Sequence, residues 1–160
     1  MNRHRPHRRI LPEDDATRSL AVGFNDRAAG PIEVLKPVRG WLHVLERFEA
    51  DHLPYLRKYP AAHLVLLVDF DDDFPARAAY CQTKIPADVA DRVFVLGPST
   101  EAESLKKELG LKLGKIGENL AAECIDGSSQ TWNCRQLAHN AGAVAQLVNC
   151  VKPFVFNLWR

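Results

Sequence analysis

Apolar positions along the chain form short runs separated by polar turn signals, and their spacing switches between strand-like and helix-like. The clearest run is Leu64-Val65-Leu66-Leu67-Val68, preceded by His63 and closed by Asp69-Phe70-Asp71-Asp72-Asp73. A short run rich in Val and Leu, ended by a turn signal, predicts a buried strand that is central in a parallel sheet. Similar strands are expected at Arg8 to Pro12 and Arg92 to Leu96. A further one is expected at Ile32 to Val38, where Pro37 puts its end at an edge or stops it early. Between the strands the spacing turns helical. A helix from Ala16 to about Phe24 follows Asp14 or Asp15 as N-cap. A longer helix from Trp41 to about Arg57 should be kinked or interrupted by Pro54. The next, Ala76 to about Lys84, has Pro75 at its first turn. Ser99 or Thr100 should cap a helix running to Leu109, with Glu103 at capping-box spacing.

Beyond Gly110 the pattern weakens. Leu111 to Gly117 reads as loop or a short helix start, and Glu118 to Cys124 as helix. Asp126 to Ser129 is a turn and Arg135 to Val148 an alanine-rich helix. Phe154 to Phe156 reads as a last short strand or a docked tail. Strands alternating with helices predict an α/β fold: a mostly parallel, Rossmann-like sheet of four strands with helices on both faces. At 160 residues the chain is one domain, with a core over about 8–110 and a C-terminal helical extension over about 111–160.

Composition narrows the classes. Hydrophobic residues make up 46%, charged residues 26%, and the net charge is +1, so overall charge points to neither nucleic acid nor membrane. No run is apolar for long enough to cross a bilayer, so no membrane association is expected. Arg3, Arg5, Arg8 and Arg9, with His4 and His7, make the start basic. No apolar segment follows them, so this is not read as a secretory signal. The basic start is either an electrostatic arm for phosphates or a frayed terminus without a role. Cys81, Cys124, Cys134 and Cys150 contain no C-x-x-C pair and are read as reduced thiols of a cytoplasmic protein. Cys124, Cys134, His139 and Cys150 also supply zinc-ligand types. Without a close pair, separate thiols are the favoured reading, and His139 is expected to satisfy a local contact.

The chemistry concentrates at the acidic end of the central run. Sites in open α/β sheets form at the carboxyl ends of strands. Period-two alternation would aim Asp69 and Asp71 the same way there. Close carboxylates repel and raise each other's pKa unless a cation neutralises them, and Mg²⁺ takes oxygen ligands of this kind. A solvated acidic turn is the bland alternative.

The order of strand, Glu, helix, strand, helix, strand ending in Asp-x-Asp, helix, strand resembles the toprim domain. Glu13, in Ile10-Leu11-Pro12-Glu13-Asp14-Asp15, falls where that family has a Glu after its first strand. Asp69 and Asp71, in Leu66-Leu67-Val68-Asp69-Phe70-Asp71-Asp72, fall at its Asp-x-Asp. The resemblance covers roughly residues 8 to 110. It departs where Asp14 replaces the family's frequent Gly and where Asp72-Asp73 follow the pair. It implies a Mg²⁺- or Mn²⁺-dependent nuclease-like enzyme with Glu13, Asp69 and Asp71 as catalytic and metal-holding residues. Asp73 and Glu103 are further candidate ligands, and Arg8, Arg9, Lys106 and Lys107 are candidates for holding a nucleic-acid backbone. It also implies DNA or RNA as substrate, in DNA processing or a defence system, with an ATPase as candidate protein partner and self-association as an option. A haloacid-dehalogenase-like phosphatase fits less well, because its motif belongs on the first strand. The alternative to an enzyme is an α/β module that keeps the scaffold and binds a protein partner.

Overall fold

The apolar runs do pair as parallel strands. The computed structural model describes residues 8–28 and 32–155. Its strands are β1 (Arg8–Pro12), β2 (Glu33–Val34), β3 (His63–Leu67) and β4 (Val93–Leu96), all parallel, in the order β2-β1-β3-β4. The fold is α/β and Rossmann-like, with β1 and β3 at the centre.

Register gives the sheet its two apolar faces. Ile10, Val65 and Phe94 share one row, and Leu11, Leu66 and Val95 share the next, so alternation sends the rows to opposite sides. Leu11, Leu64 and Leu66 pack with Val44, Phe48, Leu56 and Cys81. Those partners come from α2 (Trp41–Arg47), a π-helical turn (Phe48–His52), α3 (Leu53–Lys58) and α4 (Phe74–Thr83). Ile10, Val65, Phe94 and Leu96 pack with Ala21 and Leu147. These belong to α1 (Asp15–Arg27) and α7 (Ala141–Val155). On that side α5 (Ala102–Leu109) and α6 (Leu113–Asp126) join α1 in a second cluster around Leu20, Leu105, Ile116 and Leu120.

Three elements refine the sequence expectation. β2 keeps only Glu33 and Val34 in register, ahead of Pro37, which has no N–H to offer a ladder. The helical stretch from Trp41 to Lys58 is interrupted ahead of Pro54, as expected, and the interruption is a widened π-helical turn. Leu53 donates its N–H to the Phe48 carbonyl, five residues back, so the ladder is reset where the proline has no donor. The α6 helix begins at Leu113, within the segment expected to be loop or a short helix start. Gly114 and Gly117 there lower helix propensity, but Gly117, with Gly23 of α1, lets α1 and α6 touch backbone to backbone. A methyl on Gly117 would stand 2.1 Å from the Leu20 carbonyl oxygen, and one on Gly23 2.0 Å from that of Gly114.

Past α6, a 3₁₀ turn (Ala138–Asn140) precedes α7, and Phe154 and Val155 are helical rather than strand. The basic start at Arg3, His4, Arg5 and His7, and Phe156 at the other end, lie outside the described residues. Among the described residues no helix is long and apolar enough to cross a membrane.

Candidate carboxylate site

The chain leaves β1 toward β2 and leaves β3 toward β4. The boundary between β1 and β3 is therefore the topological switch point, beyond whose carboxyl strand ends open α/β sheets form their sites. Glu13 and Asp69 stand on its two sides. Glu13 continues the β1 ladder by donating its N–H to the Leu67 carbonyl at 2.9 Å. Its own carbonyl accepts from Arg39 N–H at 2.7 Å and Gly40 N–H at 3.3 Å. Its carboxylate Oε2 accepts from the Asp69 N–H at 2.6 Å, which joins residues 56 positions apart.

Asp69 is only 7% exposed. Its Oδ1 accepts from the Ala102 N–H at 3.0 Å, at the first residue of α5. This corrects the expected cap of that helix. The N-cap residue is Glu101, which makes no side-chain cap bond, and Glu103 is exposed on the first turn. The capping oxygen comes instead from Asp69, across the sheet. Ser99 and Thr100 are engaged elsewhere, as described below.

The expected alignment of Asp69 with Asp71 is also corrected. β3 ends at Leu67, so period two no longer applies beyond it. Asp71 and Asp72 turn left-handed, with φ of 47° and 61°, a region where Asp is tolerated better than most residues. The turn is pinned to the loop after β4: Phe70 N–H donates to Pro98 O, Asp71 N–H to Thr100 O and Asp72 N–H to Ser99 O, at 2.7–3.1 Å. Asp71 thereby faces Arg77, whose Nη2 lies 2.9 Å from its Oδ2. Arg77 Nη1 also donates to the Asp69 carbonyl at 3.0 Å.

Electrostatics couple four acids here. Burial pushes the Asp69 carboxyl up to about 8, and the neighbouring charges of Asp14 and Glu13 add to it, while the Ala102 N–H pulls the other way. Burial also raises Glu13. The Asp69 N–H opposes this, the charges of Asp14 and Asp71 reinforce it, and Arg77 lowers it. Asp14 was foreseen only as a helix cap. It does cap α1, trading bonds with Thr17 in a capping box, but it is also part of this charge cluster. Its position next to Glu13 was the signal available in the sequence.

The C-terminal extension clamps the site from behind. Buried Gln136 uses Oε1 to accept from Ser99 Oγ at 3.1 Å, Thr100 N–H at 3.0 Å and Thr100 Oγ1 at 2.7 Å. Buried Asn140 bonds both the N–H and the carbonyl of Gly97. His139 Nε2 lies 2.7 Å from that same carbonyl, and its ring packs on Phe70 and Phe74. His139 therefore makes long-range contacts rather than the local one expected. Gly97 itself has φ of 157°, and a methyl there would stand 1.6 Å from the Val68 carbonyl oxygen, directly behind Asp69.

The other predicted residues lie apart. Asp73 is exposed at the start of α4 without a capping bond. Lys106 and Lys107 are exposed on α5 and line an open groove of about 660 Å³ with Glu101, Glu103, Ser104 and Lys112. Arg8 is buried, and Arg9 pairs with Glu33 at 3.4 Å while lying over the Tyr55 ring. Both arginines sit at the amino end of β1, a strand length from Glu13. Cys81 and Cys124 are buried, Cys134 is half-buried and Cys150 is exposed; all four are free thiols. Among the described residues no three His, Cys, Asp or Glu side chains are grouped so as to hold a metal ion.

In comparisons with known proteins, no family model, curated protein or solved structure matches the chain.

Proposed function

We propose that the chain is a divalent-cation-dependent phosphodiesterase of toprim type that acts on nucleic acid, with Glu13, Asp69 and Asp71 as its working carboxylates. One observation carries the reading. The Glu13 carboxylate accepts the Asp69 N–H at the switch point of the sheet, and both carboxyls are pushed toward their neutral forms by burial and by neighbouring acids, Asp14 beside both of them. Such a pair is short of positive charge. The donor set, carboxylate oxygens only, fits a hard cation such as Mg²⁺ or Mn²⁺. Glu13 and Asp69 would hold the ion, and Asp71 would join on turning away from Arg77.

When bound, the ion would polarise a phosphate and offset the charge that develops on it. The chain's own groups supply the rest. Glu13, whose pKa burial raises, is suited to proton transfer with a leaving oxygen. Arg77 fixes the Asp69 backbone and steers Asp71. The Gln136–Asn140 clamp holds the loop after β4, to which the loop that carries both aspartates is bonded.

A second reading has one specific observation in its favour. Asp69 caps α5 and Asp71 pairs with Arg77, so both acids already have structural partners, as they would in a protein-binding module. Incubating DNA and RNA with the protein and Mg²⁺ or Mn²⁺ separates the two. Cleavage that Asp69→Asn and Glu13→Gln each abolish, with folding retained, supports the enzyme. Metal-independent or variant-insensitive cleavage, or none at all with either ion, rejects it.

A further inference from the structure

An uninterrupted chain of charged and aromatic side chains leads from the carboxylate site to the surface. Asp71 contacts Arg77 at 2.9 Å. The Arg77 guanidinium carbon lies 4.7 Å from the centre of the Trp41 ring. Trp41 meets Tyr80 edge to face at 5.5 Å. Lys84 Nζ lies 5.5 Å from the centre of the Tyr80 ring. Tyr80 remains 43% exposed despite these partners, and Leu42 beside Trp41 is 47% exposed. Arg39, two residues before Trp41, is exposed, and its backbone N–H donates to the Glu13 carbonyl.

We infer that this face, built on Arg39, Trp41, Arg77, Tyr80 and Lys84, is a single-strand nucleic-acid platform on which an unpaired base stacks against Tyr80. The inference rests on the phosphodiesterase reading of the adjacent site and names the form of its substrate. Single-strand binding combines cations that follow the phosphates with aromatic rings that take bases, and it tolerates many sequences because every base has a π-face. Here cations and rings alternate along one short path. Aliphatic surface, which a protein partner would bury, is contributed on this face by Leu42 alone among the exposed large hydrophobic residues described. Duplex DNA offers no free base face to Tyr80. The platform thus selects strands, loops or frayed ends and feeds them toward Asp71.

Fluorescence anisotropy with labelled oligothymidylate tests this, in EDTA and again with Ca²⁺, against the same strand annealed to oligoadenylate. Wild type should bind the single strand more tightly than the duplex. Tyr80→Ala should weaken single-strand binding about five- to a hundredfold, the range for losing one stacked base. Tyr80→Phe should bind like wild type, because the ring and not the hydroxyl does the stacking. Thermal melting of each variant separates lost binding from lost folding. Wild type that binds no oligonucleotide, prefers duplex, or is matched by a folded Tyr80→Ala overturns the inference. A Tyr80→Ala change that alters self-association but not oligonucleotide binding overturns it too. Failure of the carboxylate reading is distinguishable. Tyr80-dependent binding in EDTA by a protein that binds no metal would leave the platform standing without the phosphodiesterase.

Discussion

Replacing Asp69 with Asn should stabilise the fold at alkaline pH. The carboxyl is 7% exposed, and burial together with the charges of Asp14 and Glu13 lifts its pKa from 3.8 to about 8. Between those values the folded chain keeps a proton that the unfolded chain has lost. Stability therefore falls as pH rises, by up to about 1.4 kcal/mol per pH unit. Above the folded value both states are ionised and the loss levels off. The interval from 3.8 to about 8 caps the loss at about 6 kcal/mol. Relaxation, and water entering beside exposed Asp71, should bring it to about 2–3 kcal/mol. An asparagine keeps an oxygen for the Ala102 N–H and carries no charge at any pH. The variant should match wild type at about pH 4 and exceed it by about 2–3 kcal/mol at about pH 9. Urea unfolding across that range reads the difference from midpoint and slope. A variant no more stable than wild type at the alkaline end, or a difference that does not grow with pH, would refute the reasoning.

Gln136→Ala should cost about 2–4 kcal/mol, because it leaves the Thr100 N–H and two hydroxyls near Asp69 without their shared acceptor; chemical denaturation measures it. Gly97→Ala should cost about 3 kcal/mol or more, or prevent folding, since the added methyl would meet the Val68 carbonyl at 1.6 Å; the yield of soluble protein and its Tm report this. Burial lowers the pKa of His52, His63 and His139, so the unfolded chain binds protons first on acidification. Their contribution is present above the ordinary histidine value and lost as pH falls through the lowered ones, opposite in sign to Asp69 and Glu13. Thermal melts against pH should therefore show a maximum at slightly acidic to neutral pH, and a monotonic profile would count against these assignments.

Much of the fold could be read from local pattern. The runs at β1, β3 and β4 are dense in Val, Leu and Ile, and their ends fall within a residue of expectation. Asp14 was recognisable as a cap because it stands just ahead of a helical pattern. What escaped depends on partners distant in sequence. The cap of α5 comes from Asp69, 33 positions earlier, whereas the local pattern favoured Ser99, Thr100 and Glu103. The α6 start looked like loop or a short helix start because Gly114 and Gly117 are poor helix formers, and the closeness of α1 explains Gly117. Gln136 carried no motif, and Asn140 reads, with His139, as satisfying a local contact. They matter because the chain returns to the β4 loop, and a single sequence does not reveal that return. Tyr80 and Trp41 sit on separate helices, so their pairing was equally hidden.

The most direct test of the carboxylate site is a calorimetric titration of Mn²⁺ into wild type, Asp69→Asn and Glu13→Gln at about pH 7, in buffers of different ionisation enthalpy. Wild type should bind the ion and release a proton, because Asp69 must give up one held by burial. Both variants should fold and lose that binding. No binding by wild type, or binding that survives both substitutions, would contradict a metal site at the β1–β3 switch point.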